Sequence, residues 1–241
     1  MYSEKFIQFE TCVICNSDEY VIDFETDAFG NKLNAGRCCN CGHLQVHSYF
    51  SDQDLGAFYS SNVYRDLFAH PDGKPGAFRK QLKRGQRIYK SLKSRFRDPL
   101  EILEIGCGLG AIGKTFILNG HSYLGVDLND EYLQFGRREI SGAELKLIND
   151  FSDLRTLNKK FDLVIMSHVL EHFKNPKEIL EIVAKDLLKN DGLVYVEVPS
   201  LLRSLIERDS VESFIELPHV SYFTLYSLNI LMQNSGFCSV R

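Results

Sequence analysis

The sequence predicts an α/β architecture: a parallel sheet with helices on both faces, preceded by a small cysteine-rich segment. Three observations predict it. Two C-x-x-C pairs lie near the N-terminus, and five short apolar segments alternate with helix-length stretches from residue 100 onward. A glycine-rich turn, LEIGCGLGAIG at 103–113, closes the first of those segments.

The 241 residues suffice for one sizeable domain and a small appendage. With 44% hydrophobic and 25% charged residues, and no long apolar run, the composition is that of a globular protein without a membrane span. The opening MYSEKFIQFETC carries both charge signs and no apolar core, so no secretion signal is expected and a cytoplasmic location is. A formal net charge of -4 argues against general nucleic-acid binding, though a local basic patch stays open.

Of seven cysteines, Cys12, Cys15, Cys38, Cys39 and Cys41 fall within the first 41 residues, a clustering that suggests metal or buried thiols before disulfides. Cys12-Val-Ile-Cys15 and Cys38-Cys-Asn-Cys41 are two knuckles separated by 22 residues. Each supplies two soft ligands from a tight turn, the set a tetrahedral zinc needs, and with all four positions filled the metal is expected to be structural. Cys39 is the spare, and His43 and His47 are weaker substitutes for Cys41. YVIDFETD reads as a strand and FGNKLN as a hairpin-like turn, which makes residues 1–50 a zinc ribbon whose small core depends on Zn2+ for folding.

Residues 51–97 form an expected helical linker or lid. Phe58, Tyr59, Tyr64 and Phe68 make its first part aromatic, and HPDGKPG at 70–76 breaks the chain. Phe78, Leu82, Tyr89, Leu92 and Phe96 then keep helical spacing. The opposite face holds Arg79, Lys80, Lys83, Arg84, Arg87, Lys90, Lys93, Arg95 and Arg97 with no acid among them. It is either a solvated face or a surface for an anionic substrate such as a nucleotide sugar.

From residue 98 the segments LEILEIG, YLGVDL, ELKLIND, FDLVIMSH and LVYVEVP read as strands. A helix is expected over 176–188, with Asn175 as N-cap, Pro176 at the first helical position, Glu178 completing the start, and NDG at 190–192 ending it. Such sheets bind ligands at the carboxyl ends of their strands.

The 103–113 turn fits two ligands. Gly108-Leu-Gly110-Ala-Ile-Gly113 spells G-x-G-x-x-G, which receives a pyrophosphate, whereas Glu104-Ile-Gly106-Cys-Gly108-Leu-Gly110 spells E-x-G-x-G-x-G. A carboxylate beside a pyrophosphate is unhelpful, but beside a cationic ligand it is useful. Together with GVDLND, INDF, FDLVIMSHVLEHF, GLVYVEVP and PHVSYFT, the turn resembles the class I S-adenosylmethionine-dependent methyltransferases over residues 98–241. That resemblance implies that Glu104, Gly106, Gly108 and Gly110 surround the methionine part, that Asp127 binds the ribose, and that Asp150 and Phe151 contact the adenine. Cys107, Leu128, Ser167 and His168 are further candidate cofactor contacts.

The order of ribbon, aromatic segment and methyltransferase-like domain is similar to the sugar C-methyltransferases of deoxysugar biosynthesis. That resemblance implies a small-molecule acceptor, an anionic sugar derivative methylated at carbon or oxygen, with His219 as base and His172 as its substrate-orienting partner. Two departures stand out: Pro218 occupies the place of the family's glutamate, the nearest acid being Glu216, and where the family continues into a further domain the sequence stops at Arg241, inside the expected last strand pair, which leaves open a truncation there or a partner strand from elsewhere. Two alternatives stay open: an RNA or protein methyltransferase that uses the ribbon and basic helix for recognition, and a cofactor-binding protein without catalysis.

Overall fold

The computed structural model describes residues 7–8, 10–27, 32–49, 72–96, 99–201, 215 and 219–239. The aromatic residues Phe58, Tyr59, Tyr64 and Phe68, the tip of the FGNKLN turn, Arg97, Glu216, Pro218 and Arg241 lie outside them. In chain order the strands and α-helices are β1 (Ile7–Gln8), β2 (Tyr20–Thr26), β3 (Lys32–Cys38), β4 (Leu44–Val46), β5 (Ser48–Tyr49), α1 (Gly73–Leu92), β6 (Glu101–Ile105) and α2 (Ala111–Leu118). They continue as β7 (Ser122–Asp127), α3 (Asp130–Glu139), β8 (Glu144–Leu147), β9 (Phe161–Ser167), α4 (Pro176–Ile182), β10 (Leu188–Glu197), β11 (Ser221–Tyr222) and α5 (Leu225–Asn234).

These elements form two compact units that interleave along the chain. One comprises Met1–Asp54, His168–Ala184 and Glu197–Arg241; the other comprises Leu55–Ser167 and Lys185–Val196. The linear segments 1–50, 51–97 and 98–241 are therefore not the units that the contacts define.

The second unit is built on a five-stranded sheet of order β10-β9-β6-β7-β8, the α/β arrangement expected from the alternating segments. Its register is parallel, with Ile102 opposite Tyr123 on one side of β6 and opposite Leu163 on the other. Helix α1 is amphipathic as its spacing predicts, but it begins at Gly73, and a 3-10 turn over Lys93–Arg95 completes it. Its buried Gly85 packs against α2 so closely that a Cβ would meet the Ile112 backbone at 2.8 Å. Ile88, Ile102, Ile112, Phe116, Leu133, Leu163 and Ile165 pack together as the core. Full burial of such side chains contributes about 1.5–3 kcal/mol each before entropy is counted.

In the other unit the cysteine segment folds as an antiparallel sheet of order β11-β4-β3-β2. Its fourth strand thus comes from residues 221–222, where Ser221 pairs with Gln45 and Tyr222 with Leu44. Helix α5 follows behind a Thr224 N-cap, whose side chain accepts from the Ser227 N–H at 3.1 Å.

Helix α4 starts as its caps predict: the Asn175 side chain accepts from the Glu178 N–H at 3.2 Å. Its α-helical part is shorter than expected. A π turn over Val183–Leu187 takes over, and the chain enters β10 at Leu188, so Asn190, Asp191 and Gly192 lie inside a strand instead of ending a helix. Polar Lys189, Asn190 and Asp191 are exposed there, and Lys189 donates to Asp162 at 2.9 Å, so the early strand entry buries no unpaired charge.

Candidate active site

At the carboxyl end of β6, Gly106, Gly108 and Gly110 all have positive φ, between 55° and 71°, which admits the chain's reversal into α2. The loop's donors are used within the protein. Gly106 and Cys107 donate to the Val126 carbonyl at 2.9 and 3.0 Å, Gly110 donates to Cys107 at 2.9 Å, and Gly108 donates to Asp127 Oδ2 at 2.7 Å. Those four N–H groups are therefore spent within the protein, whereas the first-turn N–H groups of α2 lie behind an N-cap, Gly110, that offers them no side-chain acceptor. Asp127 takes one N–H on each oxygen, the second from Asn129 at 2.9 Å, which fixes its carboxylate at the end of β7. Glycines that admit close approach, beside the Glu104 and Asp127 carboxyl groups, suit a ligand bearing an ammonium and ribose hydroxyls.

Gly113, the last glycine of the G-x-G-x-x-G spelling, is explained by packing. A Cβ there would lie 2.2 Å from the Tyr123 ring, so its occurrence says nothing about a phosphate. The ring fills that space to bring the Tyr123 hydroxyl to Glu104 Oε2, to which it donates at 2.5 Å. Burial pushes Glu104 up to about 8, against the lowering effects of the Tyr123 hydrogen bond and the Arg84 charge. Glu104 is thus a buried carboxyl that holds a proton near neutral pH. A cationic ligand nearby would favour its ionised form.

Beyond β8, the Asp150 side chain caps a 3-10 helix over Phe151–Leu157, accepting from the Ser152 N–H at 2.7 Å. Phe151 is half-buried beside it, as is Leu128 after β7, while Cys107 is buried within the core and Ser167 closes β9 as a buried residue.

His168, Glu171, His172 and His219 all belong to the interleaved unit that contains the cysteine sheet. His168 holds a left-handed backbone, φ 55°, uncommon for a residue with a side chain. Its Nδ1 lies 3.7 Å from Glu171 and its Nε2 3.7 Å from Glu197. The Glu171 carbonyl accepts from the Val220 N–H at 2.9 Å, while the Val220 carbonyl accepts from the Val46 N–H at 2.9 Å. Val220 is therefore clamped between the turn at 170–172 and β4, which fixes its neighbour His219. The rings of His172 and His219 lie 4.9 Å apart, and Tyr222 meets His219 edge-on at 5.9 Å. Burial, then the neighbouring His172 and His168, lower His219 well below the ordinary histidine range, so its imidazole is neutral.

The four knuckle cysteines converge, each offering a sulfur within 4.8 Å of the others. Cys12 and Cys41 approach to 3.6 Å and Cys15 and Cys38 to 3.5 Å, far from a disulfide and close to the roughly 3.8 Å edge of a tetrahedral zinc–thiolate site. Both knuckles turn alike: Asn16 and Gly42 adopt positive φ and donate back to Cys12 and Cys38 at 2.9 Å. The donor set thus fits Zn2+, with Cys12, Cys15, Cys38 and Cys41 to hold it. Cys39 is exposed and turned away, its N–H bonded to Glu19. His43 is no substitute ligand. It is buried between Ser227 (Nδ1 to Oγ 3.4 Å) and Ser221 (Nε2 to Oγ 3.3 Å), and burial lowers it to about 3. His47 stacks on Tyr20, with centroids 3.9 Å apart.

Tyr123 and Glu171 are residues that sequence reasoning gave no role. Only Glu171 had a signal, its place between two histidines in HVLEH.

The fold and the glycine loop define a class I, S-adenosylmethionine-dependent methyltransferase domain. A methyltransferase-domain family matches residues 78–240, and the chain belongs to that family. Among curated relatives, the ubiquinone biosynthesis O-methyltransferase of Glaesserella parasuis is 30% identical over 104 residues, covering 40% of this chain and 44% of that protein. The chain thus matches less than half the length of that relative. Magnesium protoporphyrin IX methyltransferase from Synechocystis PCC 6803, solved with bound SAH, superposes with a TM-score of 0.57 at 14% identity, over 79% of this chain and 91% of that one. The plantazolicin methyltransferase BpumL, solved with SAH and a substrate analogue, gives 0.54 at 19% identity, over 75% of each chain. At these identities the likeness is one of fold. No described helix is long and apolar enough to cross a membrane.

Proposed function

We propose that this protein transfers a methyl group from S-adenosylmethionine to a small-molecule acceptor, an anionic sugar or nucleotide-sugar precursor, at carbon or oxygen. The observation that supports the cofactor half is the glycine loop with the buried Glu104 carboxyl behind it and the Asp127 carboxylate at the end of the adjoining strand. Glu104, Gly106, Cys107, Gly108 and Gly110 would hold the methionine part, Asp127 and Leu128 the ribose, and Asp150, Phe151, Ser167 and His168 the adenine side. When bound, the cofactor supplies an electrophilic methyl on its sulfonium.

On the acceptor side, His219 takes the proton and His172 orients the substrate. The lowered His219 is neutral before the reaction, and the nearby Glu171 carboxylate stabilises the imidazolium once it forms. Support for an anionic acceptor comes from α1, where Lys80, Lys83, Arg87 and Lys90 are exposed and the helix itself carries no acid, while Arg79 pairs with Asp72 at 3.4 Å. Support for an acceptor with an ionisable hydroxyl or activated carbon comes from a histidine base, and the relative named for O-methylation is consistent with the oxygen case.

The same exposed cations favour one second reading, an RNA substrate. Labelled S-adenosylmethionine offered with nucleotide-linked keto sugars, sugar hydroxyl acceptors, RNA and protein separates the two. The proposal expects label in the small-molecule fraction, lost in His219→Gln while SAH binding persists. Label confined to RNA or protein, or no turnover with SAH bound, would contradict it.

A further inference from the structure

We infer that Glu171, His172 and His219 form a second metal site, one that takes a divalent transition ion independently of the four cysteines. One ligand atom from each lies within 4.8 Å of the others. The His172 Nε2 stands 4.0 Å from Glu171 Oε1. Metal–nitrogen and metal–oxygen bonds of about 2.0–2.2 Å place neighbouring ligand atoms roughly 3–3.5 Å apart, so loading the site asks for shifts of about an ångström.

Two imidazoles and one carboxylate on one side of an ion, with the remaining positions open, is the donor set that borderline divalent ions such as Mn2+, Fe2+, Co2+ or Zn2+ accept. The backbone supports the convergence. Val220 ties the Glu171 turn to β4 through hydrogen bonds at both its N–H and its carbonyl, so His219 is delivered to Glu171 by main-chain pairing. The Glu171 carboxyl is 1% exposed, and a third imidazole, His168, stands 3.7 Å from it in a strained left-handed backbone. That ring would orient the carboxylate from behind, as outer partners orient metal ligands. The cysteines do not compete for the same ion: four thiolates select Zn2+, whereas a nitrogen–oxygen set accepts Mn2+.

The inference concerns the same cluster as the proposed acceptor chemistry, and the two describe alternative states of it. Without the ion, His219 takes the acceptor's proton; with it, the cation makes an acceptor oxygen more acidic and His219 serves as a ligand. The test therefore reads binding and not turnover. Zinc-loaded protein is titrated with Mn2+ and free ion is followed by electron paramagnetic resonance, with histidine ring signals recorded by NMR in parallel.

The expected result is one Mn2+ per chain beyond the ribbon zinc, with the rings of His168, His172 and His219 broadened. His172→Gln and His219→Gln should each weaken binding at least tenfold, while retained zinc and circular dichroism certify the fold. If a variant loses its zinc, the ring broadening in the parent protein decides alone. Absence of stoichiometric Mn2+ binding, or broadening that spares His172 and His219, overturns the site. Methylation that still requires His219 after that outcome leaves the base reading standing, so the two failures are distinguishable.

Discussion

The two units are held together by different means. The glycine-loop unit rests on a parallel sheet whose central strands β6 and β9 are largely buried and apolar, in a core shared with α1 and α2. The cysteine unit has short strands, with β2 alternating largely exposed, and it gathers residues from three separate stretches of chain. It buries apolar residues such as Leu44, Leu170, Leu180, Tyr222 and Leu231, and to these it adds four converging thiols, a buried His43 between two serines, and a strand from residues 221–222. The lesson is that one unit rests on apolar packing around a parallel sheet, whereas the other adds a few long-range polar and metal-ligand links, each of which can be cut.

Cutting the largest link should therefore separate the units most clearly. Removing zinc, or replacing Cys12 with Ser, should unfold the β11-β4-β3-β2 sheet, because structural zinc contributes much of the folding energy of small metal domains. Hydrogen exchange should show the Val46 and Val220 amides losing protection while amides of β6 and β9 keep theirs. Equal loss in both sets would erase the contrast.

Inside the glycine-loop unit, Gly113→Ala is the sharpest cut. The new methyl would stand 2.2 Å from the Tyr123 ring, and overpacking of this kind costs about 1–3 kcal/mol or more. Denaturant unfolding should report that loss, together with weaker SAH binding as Tyr123 is pushed away from Glu104. A neutral result would mean that the ring moves aside freely.

Glu104 gives a pH signature. Its folded value of about 8 lies above the unfolded 4.5, so the folded state holds the extra proton between the two. Its contribution to stability is complete below about 4.5 and is lost as pH rises through about 8. Stability of Glu104→Gln should lack that decline, as thermal melts across this window would register. An unchanged slope would place the titration elsewhere. The smallest expected effect is at the start of α5, where Thr224→Ala removes a cap and should cost about 1 kcal/mol.

The same contrast explains what was legible in the sequence. The parallel strands could be read because each is a short apolar run: LEILEIG became β6 and FDLVIMSH became β9, each within a residue or two. The knuckles could be read because each C-x-x-C is followed by Asn16 or Gly42, residues that tolerate the left-handed turn. The pairing of residues 221–222 with β4 was not legible, because a two-residue strand has no periodicity and its partner lies some 180 positions away. Tyr123 was silent for a similar reason, since its hydroxyl meets Glu104 only through the β6–β7 register and the gap left at Gly113. Helix α4 was read too long because nothing in Val183–Leu187 signals a π turn.

The central claim is that the loop at 103–113, flanked by the Glu104 and Asp127 carboxyl groups, accepts a sulfonium nucleoside and not a diphosphate coenzyme. Calorimetric titration of the zinc-loaded protein with SAH and, separately, with NADH tests it directly. The account predicts saturable binding of one SAH per chain, weakened by Asp127→Ala, and no heat from NADH. Saturable NADH binding with a silent SAH titration would contradict it.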